Sequence, residues 1–170
     1  MAKKPKAKRD LPAVSRDPVF MRRALALSLA NAGSAKGGPF GAVVVKDGKI
    51  VGEGANRVTP WHDPTAHAEI VALRAAAKRL KTHDLTGAAI YTSCEPCPMC
   101  LAAIMWARID RMVYACSRKD AARAGFDDDW FYRQVALPVD GRELKAKRMM
   151  TPRGRKAFRV WLANPAKVSY

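Results

Sequence analysis

Two short stretches carry residue types that could do chemistry. "DPTAHAEI" holds His67 and Glu69, and "YTSCEPCPMC" holds Cys94, Cys97 and Cys100 at even spacings of three. Thiolates and imidazole are preferred zinc ligands. Cys97 and Cys100, three apart at a predicted helix start, share one face of the first turn. The positive end of that helix favours their thiolate forms. With His67 they make three protein ligands, and a zinc site with three protein ligands keeps a fourth position for water. Glu69, two residues past His67, points away from the ligand direction. From there it can shuttle protons between a water and a substrate.

Other uses of these residues carry less. An iron–sulfur cluster needs a fourth cysteine close by, and Cys116 lies on a predicted strand. A closed structural zinc site with Cys94 as fourth ligand would leave Glu69 without a role. Cys94 therefore reads as a small buried residue at a strand end, and Cys116 as core. The pairing of H-x-E with P-C-x-x-C is the signature of zinc deaminases.

These residues need a scaffold, and the pattern supplies one. Asp17 reads as an N-cap, with Pro18 opening a helix that ends at Gly33. "GGPFGAVVVKDGKIVGEGAN" reads as a hairpin turning at Asp47-Gly48. An Ala-rich helix follows, capped near Asp63 or Thr65. "GAAIYTSC" is a strand, "PCPMCLAAIMWAR" a helix and "RMVYAC" a strand. "DDDWFYRQVAL" is a short helix or loop and "RELKAKRMM" a weaker strand. "TPRGRKAFRVWLAN" is a last amphipathic helix, with Phe158, Trp161 and Leu162 expected to pack inward. Alternating strands and helices predict one sheet covered on both faces.

The 170 residues suit one domain, 49% of them apolar. The net charge is +16, and it is unevenly spread. Residues 1–9 hold five Lys/Arg and no acid, and residues 142–170 hold nine Lys/Arg and one acid. The body between is nearly neutral. Residues 1–16 read as a disordered basic tail rather than a recognition element. The tail lacks an apolar stretch, so it is not a secretory signal. No apolar run is long enough for a membrane span. Clustered cysteines in such a chain suit a reducing compartment, so the cytoplasm is expected.

From "DPTAHAE" and "TSCEPCPMC" the sequence resembles the cytidine deaminase superfamily. The likeness is to its branch of bacterial guanine deaminases and tRNA adenosine deaminases, and covers residues 17–170. "GGPFGAVVVKDG", "AARAGFDDDWFY" and the final Tyr170 look like guanine deaminase in particular. tRNA adenosine deaminases typically have Val where this chain has Phe40, and lack the Phe-Asp-Asp segment. The resemblance implies a three-layer α/β/α sandwich around a mixed sheet of about five strands. It implies Zn2+ on His67, Cys97 and Cys100, with Glu69 as the proton shuttle. It also implies that Asn56 and Asp128 hydrogen-bond the purine, that Tyr170 reaches a substrate pocket, and that Phe40 and Trp106 line it. The activity implied is conversion of guanine to xanthine and ammonia, with a tRNA adenosine deaminase as the alternative. A homodimer is implied, and its C-terminal segments could be exchanged.

Overall fold

The computed structural model describes residues 17–169. The basic tail at 1–16 and Tyr170 lie outside the described residues. Helix α1 spans Asp17–Ala32. Strands β1 (Gly41–Lys46) and β2 (Lys49–Ala55) form the expected hairpin. Asp47 and Gly48 both take positive φ, 51° and 70°, as a two-residue turn between twisted strands demands. A single turn, α2 (Val58–Trp61), precedes α3 (Ala68–Leu80). Then come β3 (Ala88–Cys94), α4 (Pro98–Trp106), β4 (Arg111–Cys116), α5 (Arg118–Arg123), α6 (Asp128–Ala136) and α7 (Thr151–Ala163).

The sheet order is β2-β1-β3-β4. β1 runs antiparallel to both β2 and β3, while β3 and β4 are parallel. This arithmetic of directions matters. The start of β1 and the ends of β2, β3 and β4 all fall on one edge of the sheet. Phe40, Asn56, Cys97 and Arg118, each just outside a strand, are thereby gathered at that edge.

One face of the sheet buries Phe20 and Ala24 of α1 against Val43, Val45 and Tyr91. The other packs Ala68, Ala72 and Ala76 of α3 and Ile104 of α4 on Ala42, Val44 and Ile90. The result is the expected three-layer α/β/α sandwich. At the far end, Asp17 accepts from Tyr91 Oη at 2.5 Å and from Arg111 Nη1 at 2.7 Å. Asp17 is the first described residue of α1, and its carboxylate joins α1 to β3 and β4.

Three expectations are corrected. The sheet has four strands among the described residues, and "RELKAKRMM" forms none. Residues 143–150 are exposed throughout, and their Lys/Arg content leaves no apolar face to bury on the β4 edge. Helix α3 starts at Ala68, later than Asp63 or Thr65. Asp63 Oδ1 instead accepts from Thr65 N at 2.8 Å and Thr65 Oγ1 at 2.6 Å, closing a side-chain turn. Phe158, Trp161 and Leu162 are exposed by 71%, 42% and 68%, because α7 packs closely on no other described element. No helix among the described residues is long and apolar enough to cross a membrane.

The position of α3 is set by two glycines on β2. A Cβ on Gly54 would lie 2.1 Å from Ala68 O and 2.6 Å from Ala72 N, and one on Gly52 would lie 2.3 Å from Ala72 O. Only bare backbone lets the helix sit this close. Gly54→Ala is expected to lower stability by about 1–3 kcal/mol or more in denaturant unfolding. Gly154→Ala on α7, where a Cβ meets nothing within 4 Å, should be neutral or gain up to about 1 kcal/mol.

Candidate active site

His67 is the N-cap of α3 and Cys97 the N-cap of α4, both with extended backbone. An N-cap side chain commonly accepts from its own helix. Neither does so here, which leaves both free to face each other. Cys97 Sγ lies 3.6 Å from His67 Nδ1. Cys100, one turn into α4, is fully buried beside them. The ligand atoms of His67, Cys97 and Cys100 all lie within 4.8 Å of one another, a group able to hold a metal ion.

The electrostatics follow from that crowding. Cys97 accepts from the Cys100 thiol and from His67, which brings its own pKa down to about 4 despite burial. The same contact, with burial, drives the Cys100 thiol far upward. His67 is raised by its bond to Cys97. Glu69, buried on the first turn of α3, is pushed up to about 7 by loss of solvent.

Around this cluster is a cavity of about 250 Å³, lined by Gly38, Phe40, Asn56, Thr59, Glu69, Glu95, Phe126 and Asp128. Pockets for drug-sized ligands run to roughly 300–1,000 Å³, so this one suits a single heterocyclic base. Phe40 and Phe126 meet edge to face with ring centres 4.7 Å apart. Asn56 is buried and rigidly placed. Its Oδ1 accepts from Gly38 N at 3.3 Å and Val58 N at 3.2 Å. No described residue accepts from its Nδ2, so the amide presents a donor. Behind it, buried Asn31 donates to Gly38 O at 2.7 Å and Asn56 O at 3.1 Å, and accepts from Arg57. Opposite stands Asp128, half-buried at the start of α6. Burial, then the Cys97 charge, raises its pKa.

The structure thus gathers His67, Glu69, Cys97, Cys100, Asn56, Asp128 and Phe40. It does not bring Trp106 to the cavity. Trp106 lies six residues beyond Cys100, about 9 Å further along the helix and turned about 120° away. It is 60% exposed and lines an outer groove with Met99 and Ala103. Cys94 is buried, directed to Ser117 O at 3.5 Å, and held up to about 12 by burial, outside the ligand group. Cys116 is exposed rather than core, since it ends the open edge strand β4. Five lining residues were not singled out from the sequence: Gly38, Val58, Thr59, Glu95 and Phe126. Glu95 sat inside the quoted cysteine motif, and Phe126 sat two residues before Asp128.

Residues 14–116 match the family described as the cytidine and deoxycytidylate deaminase zinc-binding region. A guanine deaminase of Bacillus subtilis is 46% identical over 142 residues, 84% of this chain and 91% of that protein. The crystal structure of guanine deaminase from Bacillus subtilis superposes with a TM-score of 0.87 at 44% identity. That match covers 91% of this chain and 98% of the other. A tRNA-specific adenosine deaminase of Buchnera aphidicola is 37% identical over 110 residues, 65% of this chain and 70% of that protein.

Asn31 is the buried support of the Asn56 wall. Asn31→Ala should lower stability by about 1–3 kcal/mol, the cost of stranding buried partners, measured as a shift in denaturant midpoint. An unchanged midpoint would show that the network contributes nothing.

Proposed function

The chain belongs to the cytidine and deoxycytidylate deaminase family, and from that premise we propose that it hydrolyses guanine to xanthine and ammonia. The observation that carries the choice of guanine is the cavity's pairing of a free amide donor with a carboxylate. Guanine offers acceptors at O6 and N7 and donors at its ring and amino N–H groups. Asn56 Nδ2 meets an acceptor, and Asp128 accepts from N–H. Phe40 and Phe126 cover the ring face. The low volume of the cavity argues for a free base.

His67, Cys97 and Cys100 fit zinc. A tetrahedral ion at ordinary bond lengths separates its nitrogen and sulfur ligands by roughly 3.6 Å, and Cys97 Sγ and His67 Nδ1 are 3.6 Å apart. Zinc bound there supplies Lewis acidity that lets a water ionise near neutral pH. Glu69 takes a proton from the attacking water and passes it to guanine N3, while the water oxygen bonds to C2. Glu69 then carries the second water proton to the C2 amino group. The C–N bond breaks, ammonia leaves and the C2 carbonyl of xanthine remains. A carboxyl whose burial favours the neutral form can both take and return a proton. The N-termini of α3 and α4 add positive potential where charge develops.

Residues 17–170 form the deaminase unit in this reading, which works in the cytoplasm, where its free thiols stay reduced. The functional particle is a homodimer. Exposed Phe158 and Trp161 of α7 face Trp106 across a cleft of about 550 Å³, and a second copy, with exchanged C-terminal segments, would bury them. Tyr170 would then complete a pocket. Sedimentation should give twice 18.7 kDa, and a monomer would sink this part. The alternative, a tRNA adenosine deaminase, is favoured by the net charge of +16 and by the shared zinc motif. Its turnover on RNA would fall steeply with salt, whereas free-base turnover would barely change.

Purified enzyme should release ammonia from guanine. Glu69→Gln should retain zinc and lose about 10²-fold or more in kcat. The metal-free folded state holds the Glu69 proton up to about pH 7, while the unfolded state loses it near 4.5. Stability contributed by the neutral acid is therefore lost as pH rises from 4.5 through 7. After chelation, Glu69→Gln should melt higher than wild type at pH 8 and nearly level with it at pH 4. Equal melting temperatures at both would refute a buried, raised Glu69.

A further inference from the structure

We infer that Arg118 is a positioning residue for substrate, holding the acid-bearing wall of the cavity in place from behind. The inference deepens the guanine reading and rests on it. Arg118 is the first residue of α5, directly after Ser117. Ser117 and Asp120 form a reciprocal capping box, so the start of α5 is fixed. The main-chain N–H of Arg118 donates to Glu95 Oε2 at 3.0 Å. Its guanidinium lies 3.8 Å from Glu95 Oε1 and 3.6 Å from Asp129 Oδ1. It also stacks over the Tyr132 ring at 4.5 Å. Tyr132 in turn donates to Pro96 O at 2.8 Å. One side chain therefore ties together the β3–α4 loop, α5 and α6.

Two facts make this tie matter for substrate. First, α6 carries Asp128 but buries no residue of its own. Its placement depends on a few polar contacts, with Phe126 packed on Phe40 just before it. Second, Glu69, Glu95 and Asp128 line the cavity while no Lys or Arg among the described residues does. Arg118 is the cation that pairs with Glu95 on this wall. The other oxygen of Asp129 is taken by Arg133 within α6, so Arg133 does not bridge to the loop. The partners of Arg118 are Glu95, Asp129 and Tyr132, and none of them belongs to the His67–Cys97–Cys100 group. Its loss should loosen Glu95 and, through Asp129 and α6, Asp128, while leaving the metal ligands in place.

Lysine cannot replace it fully, because it lacks the planar fork that stacks and pairs at once. The test is steady-state kinetics on guanine, with zinc content and thermal melting of each variant. Arg118→Ala should raise KM about tenfold or more, with kcat within about threefold and zinc stoichiometry unchanged. Arg118→Lys should fall between, and Tyr132→Phe should raise KM in the same direction by a smaller factor. Wild-type KM in zinc-loaded Arg118→Ala would overturn the inference, as would a loss confined to kcat. Zinc loss in step with activity would also overturn it and mark a structural role. Should Arg118→Ala not fold, Tyr132→Phe decides by the same KM criterion. A wild type that turns over no guanine sinks the functional reading and this inference together. Turnover with unchanged KM in the variants sinks this one alone.

Discussion

The 3.6 Å approach of Cys97 Sγ to His67 Nδ1 is the contact that the rest of the structure serves. It joins two helices that start 30 residues apart in the chain, each by its N-cap residue. A cap position holds its side chain outside the helical turn. Two such positions can therefore face each other, and two positive helix ends then converge on the same point. The sheet makes this possible. Its strand directions put β2 and β3 exits on one edge, and Gly52 and Gly54 let α3 settle onto β2 at backbone distance. Moving α3 outward by the width of a methyl group would separate His67 from the cysteines.

The cost of the site is visible in its charges. Glu69 is buried and prefers to stay protonated below about pH 7, and three carboxylates line one small cavity. An interior chosen for stability alone would avoid both. The surrounding network limits the damage. Asn31 and Arg57 hold the Asn56 backbone, so that its amide donor stays uncommitted. Arg118 and Tyr132 brace the opposite wall. Donor and acceptor walls are thus built on different elements, β2 and α6, and meet only across the cavity.

Much of this was legible in the sequence, for identifiable reasons. His67, Glu69, Cys97 and Cys100 sit in two short motifs whose spacing already fixes their helix positions. The Asp47-Gly48 turn and the apolar strands follow from local chemistry. Other features depend on distant partners and left no local mark. Asp17 looks like a cap, but its carboxylate is taken by Tyr91 and Arg111. Trp106 shares a helix with Cys100 but points from another side. Glu95 and Phe126 become cavity residues only once α5 and α6 fold back over the β3–α4 loop. The "RELKAKRMM" segment had weak strand character and no apolar face, and it remains outside the sheet. Cys116 is exposed because nothing covers the β4 edge among the described residues.

The central claim is that the three evenly spaced cysteines divide two to one. Cys97 and Cys100 stand with His67 in a group able to hold a metal ion, while Cys94 packs beside Ser117 with its thiol held up to about 12. X-ray absorption at the zinc edge of the purified, metal-loaded protein tests this most directly. Two sulfur neighbours at about 2.3 Å and two lighter ones at roughly 2.0–2.2 Å are the result this account requires. Three sulfurs, with one nitrogen, would make the site closed and structural, and would contradict it.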